Sequence, residues 1–367
     1  MLSRTAENLF WIARYVERAE NMARLLDAGK RMAALPDDKA ARAEWEAVLA
    51  AAGVLGQFHA HYDEINQNNV VDFVAYSPLN PSSILSCVAH ARANARAVRT
   101  ALTIDMWEAI NEFWLELNAR PKVRAGDGGL APFLEWIKRN CALFRGVADS
   151  TQLRNDGYDF LGLGTFIERG DCTARLLDVK NFAFHRKDEP ASGHEAFHWT
   201  TILRATSSLR SYNWVYGGGF DAREVADFLI LNPYSPRSLR HSMEKVSEHL
   251  NRLARLYAAR HDCHEICASL YTELTDSEID GVIEGGLHDF LTRFVARNNW
   301  LSAQIARDYY FSSASPFAGP ADVGSGDAPE SQMPANVRTG GETKGEPKSR
   351  TQAQSKAQQK TRNRAVG

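Results

Sequence analysis

The sequence predicts an all-α protein: a helical bundle made of two internally duplicated helical repeats. Apolar residues recur at spacings of three and four along residues 1–314, and runs of β-branched residues are short. Alanine, leucine, arginine and glutamate, which favour helices, are abundant. Of the 367 residues, 44% are hydrophobic, so the chain is able to bury a sizeable core.

The apolar periodicity predicts ten helices. The first begins at Ser3, interpreted as its N-cap, and ends at about Met32, shortly before Pro36. Glycines at Gly126–Gly129 and Gly217–Gly219 predict internal loops. The other nine helices are predicted at 40–56, 82–102, 104–118, 130–150, 160–187, 195–216, 221–231, 237–261 and 286–311.

Two segments of the sequence occur twice. Residues 17–27 read ERAENMARLLD and residues 168–178 read ERGDCTARLLD, with seven of eleven positions identical. Residues 72–84 read DFVAYSPLNPSSI and residues 227–239 read DFLILNPYSPRSL. The offsets are 151 and 155, so we infer the duplication of one unit. Two such units predict a single core with a pseudo-twofold axis.

The predicted helical domain covers residues 1–314, with repeat one at about 1–155 and repeat two at about 156–314. Large apolar residues nearly vanish from residues 315–367, which are rich in Gly, Pro, Ser, Gln and Lys. This composition predicts a disordered basic tail. We favour a solubilising role for the tail over a weak contact with nucleic acid or an acidic partner.

The second repeated segment is typical of two helices joined by a turn. A helix is predicted to end before Pro78, because a residue that precedes proline avoids the helical conformation. The next helix is predicted to begin with Asn80 as N-cap and Pro81 at its first position. Ser235 and Pro236 repeat this pattern.

The first repeated segment places acids and an arginine on an apolar helix face. A carboxylate in such a position is costly unless it is paired. The spacing from acid to arginine is i,i+4, which predicts an ion pair within each copy. The six residues of this carboxylate–arginine signature are Glu17, Glu20, Arg24, Glu168, Asp171 and Arg175.

Three interpretations of the signature compete. The favoured one is a structural ion-pair network between two central helices. The second is a catalytic or ligand-binding site with perturbed carboxylate pKa values. The third is a metal site, because twofold packing would gather Glu17, Glu20, Glu168 and Asp171. The two helices that carry the signature have no Glu-x-x-His motif, so we predict neither a metal nor another cofactor.

A second candidate site is an arginine stripe that only the first half contains. Arg92, Arg96 and Arg99 are spaced at i, i+4 and i+7 on a predicted helix. They are candidates for binding an anion, or for pairing with the carboxylates of the first helix. A solvated basic face is the simpler interpretation.

Composition and missing motifs exclude several classes of function. The net charge of −2 argues against nucleic acid as a partner, and no apolar stretch is long enough to span a membrane. Five scattered cysteines favour reduced thiols and a cytoplasmic location. No Walker or GxSxG motif is present. The sequence therefore favours a protein without catalytic activity.

Three segments resemble the bacterial Alpha-E domain family. They are SRTAENLFWIARYVERAENMARLLD at 3–27, ARANARAVRTALTIDMWEAIN at 91–111 and GTFIERGDCTARLLD at 164–178. The resemblance implies an all-α fold and matches Glu17 and Glu168 to the glutamate for which the family is named. Arg14 belongs to the first copy alone, because Thr165 stands at its counterpart.

The resemblance also implies partners. Members of the family tend to be encoded beside, or fused to, a circularly permuted ATP-grasp protein and a transglutaminase-like cysteine protease. The expectation is a helical accessory protein of an ATP-dependent ligase in a peptide-modifying or amide-ligating system, compatible with a homo-oligomer. The alternative is an enzyme or metal-binding protein that acts on a peptide or amide through its carboxylates.

Overall fold

A computed structural model describes residues 1–34, 38–124, 128–178 and 193–311. These residues form fifteen α-helices and no strand, which confirms the predicted all-α class. A π-helical turn follows α4 and a 3₁₀ turn follows α5. The helices are α1 Ser3–Met32, α2 Asp38–Ala51, α3 Leu55–His59, α4 Gln67–Val71, α5 Ile84–Ala97, α6 Ile104–Ala119, α7 Leu130–Thr151, α8 Asp156–Asp178, α9 Gly193–Ala205, α10 Leu209–Tyr216, α11 Ala222–Ile230, α12 Leu239–Tyr257, α13 Asp262–Asp276, α14 Ile279–Glu284 and α15 Leu287–Asp308.

Helices α1 and α8 pack against each other at the centre of the bundle. Both are buried on nearly all sides, as expected for helices surrounded by protein. Their backbones come close at Gly164, where an added Cβ would lie 2.2 Å from the carbonyl oxygen of Phe10. Glycine is therefore needed at this crossing of the two helices.

Other helices cover the central pair. Helices α5 and α7 pack on α1, and α12 and α15 pack on α8. Helix α6 contacts both α5 and α7, and α13 contacts both α12 and α15. The two copies of the first repeated segment therefore face each other across the α1–α8 contact. The duplication and its two-repeat boundaries remain predictions from the sequence.

The starting residues predicted for the two helices in the second repeated segment are wrong. The N-cap of α5 is Ser83, whose hydroxyl accepts a bond from the Ser86 amide, and the N-cap of α12 is Ser238. Asn80 instead holds the preceding turn: its Oδ1 accepts from the Ser82 amide at 2.9 Å. Its side-chain amide also donates to the Phe73 carbonyl oxygen at 3.2 Å.

Several other helix limits differ from the prediction. The segment predicted as one helix at 195–216 is divided into α9 and α10, and Ser207 between them has a left-handed φ of 56°. Helix α12 ends at Tyr257, where Ala258 takes a left-handed φ of 51°. Ser3 is the first residue of α1 and its side chain caps nothing.

Some features lie beyond what periodicity detects or beyond the described residues. Helices α3, α13 and α14 were not predicted, and two of them are six residues or shorter. Helix α4 and its π-helical turn end at Tyr76, before Pro78 as predicted. Gly217 and Gly218 end α10 with positive φ, as the glycine run indicates. The predicted tail at 315–367 and the predicted helical residues 179–187 lie outside the described residues.

We predict that Gly164→Ala destabilises the fold because the new methyl group collides with α1. The expected loss in the free energy of unfolding is about 1–3 kcal/mol, as in other overpacked cores. The matched control is Gly146→Ala in α7, where an added Cβ meets no atom within 4 Å. That substitution should stabilise the protein by up to about 1 kcal/mol. Urea unfolding of both variants measures the difference; equal effects would contradict the close helix crossing.

Candidate functional site

Each central helix carries a Glu-Arg dipeptide, and the two dipeptides exchange ion pairs. Arg169 of α8 donates to Glu17 of α1 from Nε at 2.9 Å and from Nη2 at 3.0 Å. Arg18 of α1 donates to Glu168 of α8 from Nε at 2.6 Å and from Nη2 at 3.0 Å. Each glutamate thus receives a two-point bond from the arginine of the opposite helix. We call this arrangement the reciprocal pair.

A second arginine of α1 completes the surroundings of Glu168. Arg14 donates from Nε to Glu168 Oε2 at 2.8 Å and from Nη1 to Ser302 Oγ of α15 at 2.8 Å. Its guanidinium also lies 4.9 Å from the centroid of the Trp11 ring. One carboxylate is therefore held by two guanidinium groups, while α1, α8 and α15 are tied together.

Glu17 and Glu20 share a larger group of arginines from four parts of the chain. Arg237, just before α12, reaches Glu17 at 3.3 Å and Glu20 at 2.9 Å. Arg145 of α7 also pairs with both carboxylates. Arg24 donates from Nε to Glu20 at 2.8 Å. With Arg169, four positive charges surround two negative ones.

These surroundings keep the buried carboxylates ionised. Burial raises the pKa of Glu17, but the guanidinium groups of Arg169 and Arg145 outweigh burial and hold it well below its ordinary value. Burial likewise raises the pKa of Glu168, and Arg18 and Arg14 lower it to about 2. A general acid needs a pKa near the working pH. Neither glutamate has one.

The excess of positive charge around Glu17 and Glu20 affects the pKa of Arg237. Its burial, together with the nearby guanidinium of Arg24, lowers the pKa of Arg237 to about 10. Glu17 and Glu20 act in the opposite direction. At neutral pH the arginine remains protonated, so the network stays fully charged.

Asp171 in the second copy has fewer partners than Glu20, its counterpart in the first copy. Asp171 pairs with Arg175 at 2.7 Å, the same i,i+4 contact that joins Glu20 to Arg24. Asp171 Oδ1 is buried and has no hydrogen-bond partner among the described residues. Asp171 and Glu20 therefore share the local i,i+4 pair, but Asp171 lacks the contacts that Glu20 makes with Arg145 and Arg237.

The arginine stripe is arranged differently from the prediction. Helix α5 ends at Ala97, so Arg99 lies in the following 3₁₀ turn and the three arginines do not share one helix. Arg92 donates to Asn111 Oδ1 at 2.8 Å, and its guanidinium lies 4.1 Å from the Trp114 ring. Arg96 is exposed.

Arg99 stacks over the Trp107 ring at 5.1 Å. Glu17 and Glu20 are paired with other arginines, so the predicted pairing of the stripe with these acids of the first helix is wrong. Arg92 of α5 and Arg99 of the following turn instead pack on tryptophans of α6. Anion binding by the stripe stays a prediction.

The carboxylates do not form a cluster suited to a metal. Within the described ranges, no group of three or more His, Cys, Asp or Glu side chains is placed to hold a metal ion. Glu17 and Glu168, which the metal interpretation brings together, are each enclosed by arginines. The repeated acids therefore fit the ion-pair interpretation best.

The sequence interpretation missed Arg18, Arg145, Arg169 and Arg237. Arg18 and Arg169 had a detectable signal, because the Glu-Arg dipeptide is repeated at 17–18 and 168–169. Neighbouring residues on one helix do not face each other, so a wheel of a single helix gives these arginines no partner. Arg145 and Arg237 had no such signal.

Comparison with known proteins assigns the chain to a family. Residues 1–310 match Alpha-E, described as a predicted alpha-helical domain with a conserved ER motif. The chain belongs to the Alpha-E family. In this Alpha-E protein, the Glu-Arg dipeptides at 17–18 and 168–169 are the residues that form the reciprocal pair across the two central helices.

Curated relatives of this Alpha-E chain are uncharacterised proteins of mycobacteria. A protein of Mycobacterium bovis is 27% identical over 267 residues, which are 68% of this chain and 30% of the relative. A protein of Mycobacterium tuberculosis is 26% identical over the same shares. The matched region thus spans about 30% of the length of these relatives. No solved structure matches the chain.

The helices of the described region are too short or too polar to cross a membrane.

We predict that Glu168→Gln destabilises the protein mainly above pH 4.5. The pKa of Glu168 is about 2 in the folded chain and ordinarily 4.5, so its stabilising effect is present above pH 4.5 and lost as the pH falls toward 2. The expected loss at pH 7 is about 3 kcal/mol.

Denaturant unfolding at pH 7, 4 and 3 gives the free energy of unfolding of the native protein and of Glu168→Gln. The difference between the two should shrink as the pH falls. The control is Glu135→Gln, because Glu135 is half exposed and, among the described residues, its ion pair is with Lys138. A Glu168→Gln difference that is constant with pH would contradict the buried ion pair.

Proposed function

We propose that this Alpha-E protein is a non-catalytic helical partner that docks to a circularly permuted ATP-grasp ligase in a peptide-modifying or amide-ligating system. The observation that carries the proposal is the pairing of its repeated glutamates. Glu17, Glu20 and Glu168 are each at most 2% exposed and bound to arginines. Acids in this state hold helices together and have no route to a substrate.

The architecture of the relatives supports a partner role. In the mycobacterial proteins the matching segment makes up about 30% of a longer chain. A helical unit that is joined to other segments in one protein is a reasonable partner for separate proteins elsewhere. The transglutaminase-like protease of the family's gene neighbourhood is proposed as the second member of the system.

The surface of the described residues offers side chains suited to docking. Trp214 is 90% exposed, Tyr234 is 89% exposed and Ile104 is 75% exposed. Aromatic residues are enriched among the side chains that dominate binding at protein interfaces. We place the complex in the cytoplasm, and the five free, buried cysteines support that location.

The competing function is an enzyme that uses the same carboxylates for acid–base chemistry on a peptide or amide. It requires a carboxylate that reaches solvent and titrates near neutral pH. The arginines around Glu17 and Glu168 oppose both requirements. If Glu17→Gln kept the native melting temperature but abolished pathway activity, that result would favour the enzymatic function.

We predict that the purified chain binds a circularly permuted ATP-grasp protein from the same genome at micromolar concentrations. Size-exclusion chromatography with light scattering would detect the complex, and titration calorimetry would give its dissociation constant. Trp214→Ser and Tyr234→Ser test the surface without disturbing the core, because both side chains are almost fully exposed. The proposal would be contradicted if no complex formed with both proteins at roughly 0.1 mM, which is 50–100 times a micromolar dissociation constant.

A further inference from the structure

A cavity of about 110 Å³ lies beside the reciprocal pair, between α1, α7, α8 and α12. Most of its wall is apolar and includes Val16, Phe144, Leu161 and Phe166. An apolar protein cavity of roughly 150 Å³ holds a benzene molecule. This cavity is smaller but partly open to the surface, so one six-membered ring fits with part of the ligand at the opening.

One polar side chain at the cavity wall is held in a fixed orientation. His249 Nδ1 lies 2.9 Å from Asp159 Oδ1 and 2.6 Å from Arg252 Nη2. Arg252 also donates from Nε to Asp159 Oδ1 at 2.6 Å. Burial lowers the pKa of His249, so the ring is neutral at physiological pH.

The other ring nitrogen of His249 is directed toward Gly162, which also lines the cavity. A Cβ at Gly162 would lie 2.0 Å from Nε2, so only glycine leaves room for the ring. Among the described residues, no side chain or backbone group forms a hydrogen bond with Nε2. The nitrogen is available to a group that enters the cavity.

The charged side chains at the wall already have ion-pair partners. Arg145 pairs with Glu17 and Glu20. Asp149 accepts from Arg154 at 2.8 Å and from the Tyr158 hydroxyl at 3.1 Å. A ligand that brought its own charge would find no unpaired counter-ion here. The cavity therefore favours a neutral ligand.

The cavity belongs to the half of the molecule where a short residue replaces an arginine. In the aligned repeats, Thr165 stands where the first copy has Arg14. In the first copy, the Arg14 side chain occupies the space at this position, stacks on Trp11 and donates to Glu168. Thr165 lines the cavity, and its hydroxyl donates to the Leu161 carbonyl oxygen at 3.0 Å. The open space is thus a feature that the two halves do not share.

We propose that this cavity binds a neutral aromatic ring of phenol size, whose hydroxyl forms a hydrogen bond with His249 Nε2. Asp159 accepts from Nδ1 in one ring tautomer and Arg252 donates to it in the other, so Nε2 is an acceptor or a donor. A hydroxyl matches both states, because it donates and accepts. Phe144 and Phe166 supply aromatic surface for the ring.

The first test uses the full chain and two probes of similar size, phenol and toluene. Titration followed by ligand-observed NMR should show saturable binding of phenol at one site. Ala148→Phe is the blocking variant, because Ala148 is a half-buried residue of the cavity wall and its replacement leaves all the polar contacts of His249 in place. Phenol should lose binding to this variant by at least about tenfold.

The second test isolates the hydrogen bond. In His249→Leu, phenol should lose about tenfold in affinity relative to toluene, as expected for one buried hydrogen bond. Circular dichroism first establishes that the variant is folded. If it does not fold, Ala148→Phe alone decides whether the cavity is the site.

The source of the ring is distinguished by a third probe, N-acetyl-tyrosinamide. Binding of both phenol and the amide indicates a tyrosine side chain of a peptide as the natural ligand, whereas binding of phenol alone indicates a free small molecule. Three results would overturn the proposal: no saturable phenol binding, unchanged binding to Ala148→Phe, or an unchanged phenol-to-toluene ratio in folded His249→Leu. None of these concerns the ATP-grasp complex.

Discussion

The exchange of ion pairs between α1 and α8 is the contact on which the rest of the bundle depends. Charges are expensive to remove from water, and they are tolerated in a core only with close partners and well-formed hydrogen bonds. Glu17 and Glu168 satisfy this condition with two-point bonds from Arg169 and Arg18. The geometry of these bonds fixes both the rotation and the sliding of one central helix against the other.

The remaining arginines extend that constraint outward. Arg14 ties α15 to the centre, Arg145 ties α7, and Arg237 ties the start of α12. Each outer layer is therefore positioned by charge as well as by apolar packing. The same contacts keep the glutamates paired and ionised. The proposed partner role rests on this structural role of the Alpha-E dipeptides.

The all-α class and the length of α1 follow from periodicity, and so do the local pairs from Glu20 to Arg24 and from Asp171 to Arg175. These features depend on residues within one helix. The partners of Glu17 do not: Arg145 and Arg237 are 128 and 220 positions away in sequence. Which helix covers a given face is decided by tertiary packing, and a single-helix wheel contains no such information.

The most direct test of this account is a double-mutant cycle on Glu17 and Arg169, measured as free energies of unfolding in urea. Glu17→Gln and Arg169→Met remove the charges with little change of shape. The predicted coupling energy is about 2 kcal/mol or more, and it should exceed the coupling between Glu17 and Arg18, which adjoin in sequence but pair elsewhere. Effects of Glu17→Gln and Arg169→Met that add within about 0.5 kcal/mol would contradict the reciprocal pair.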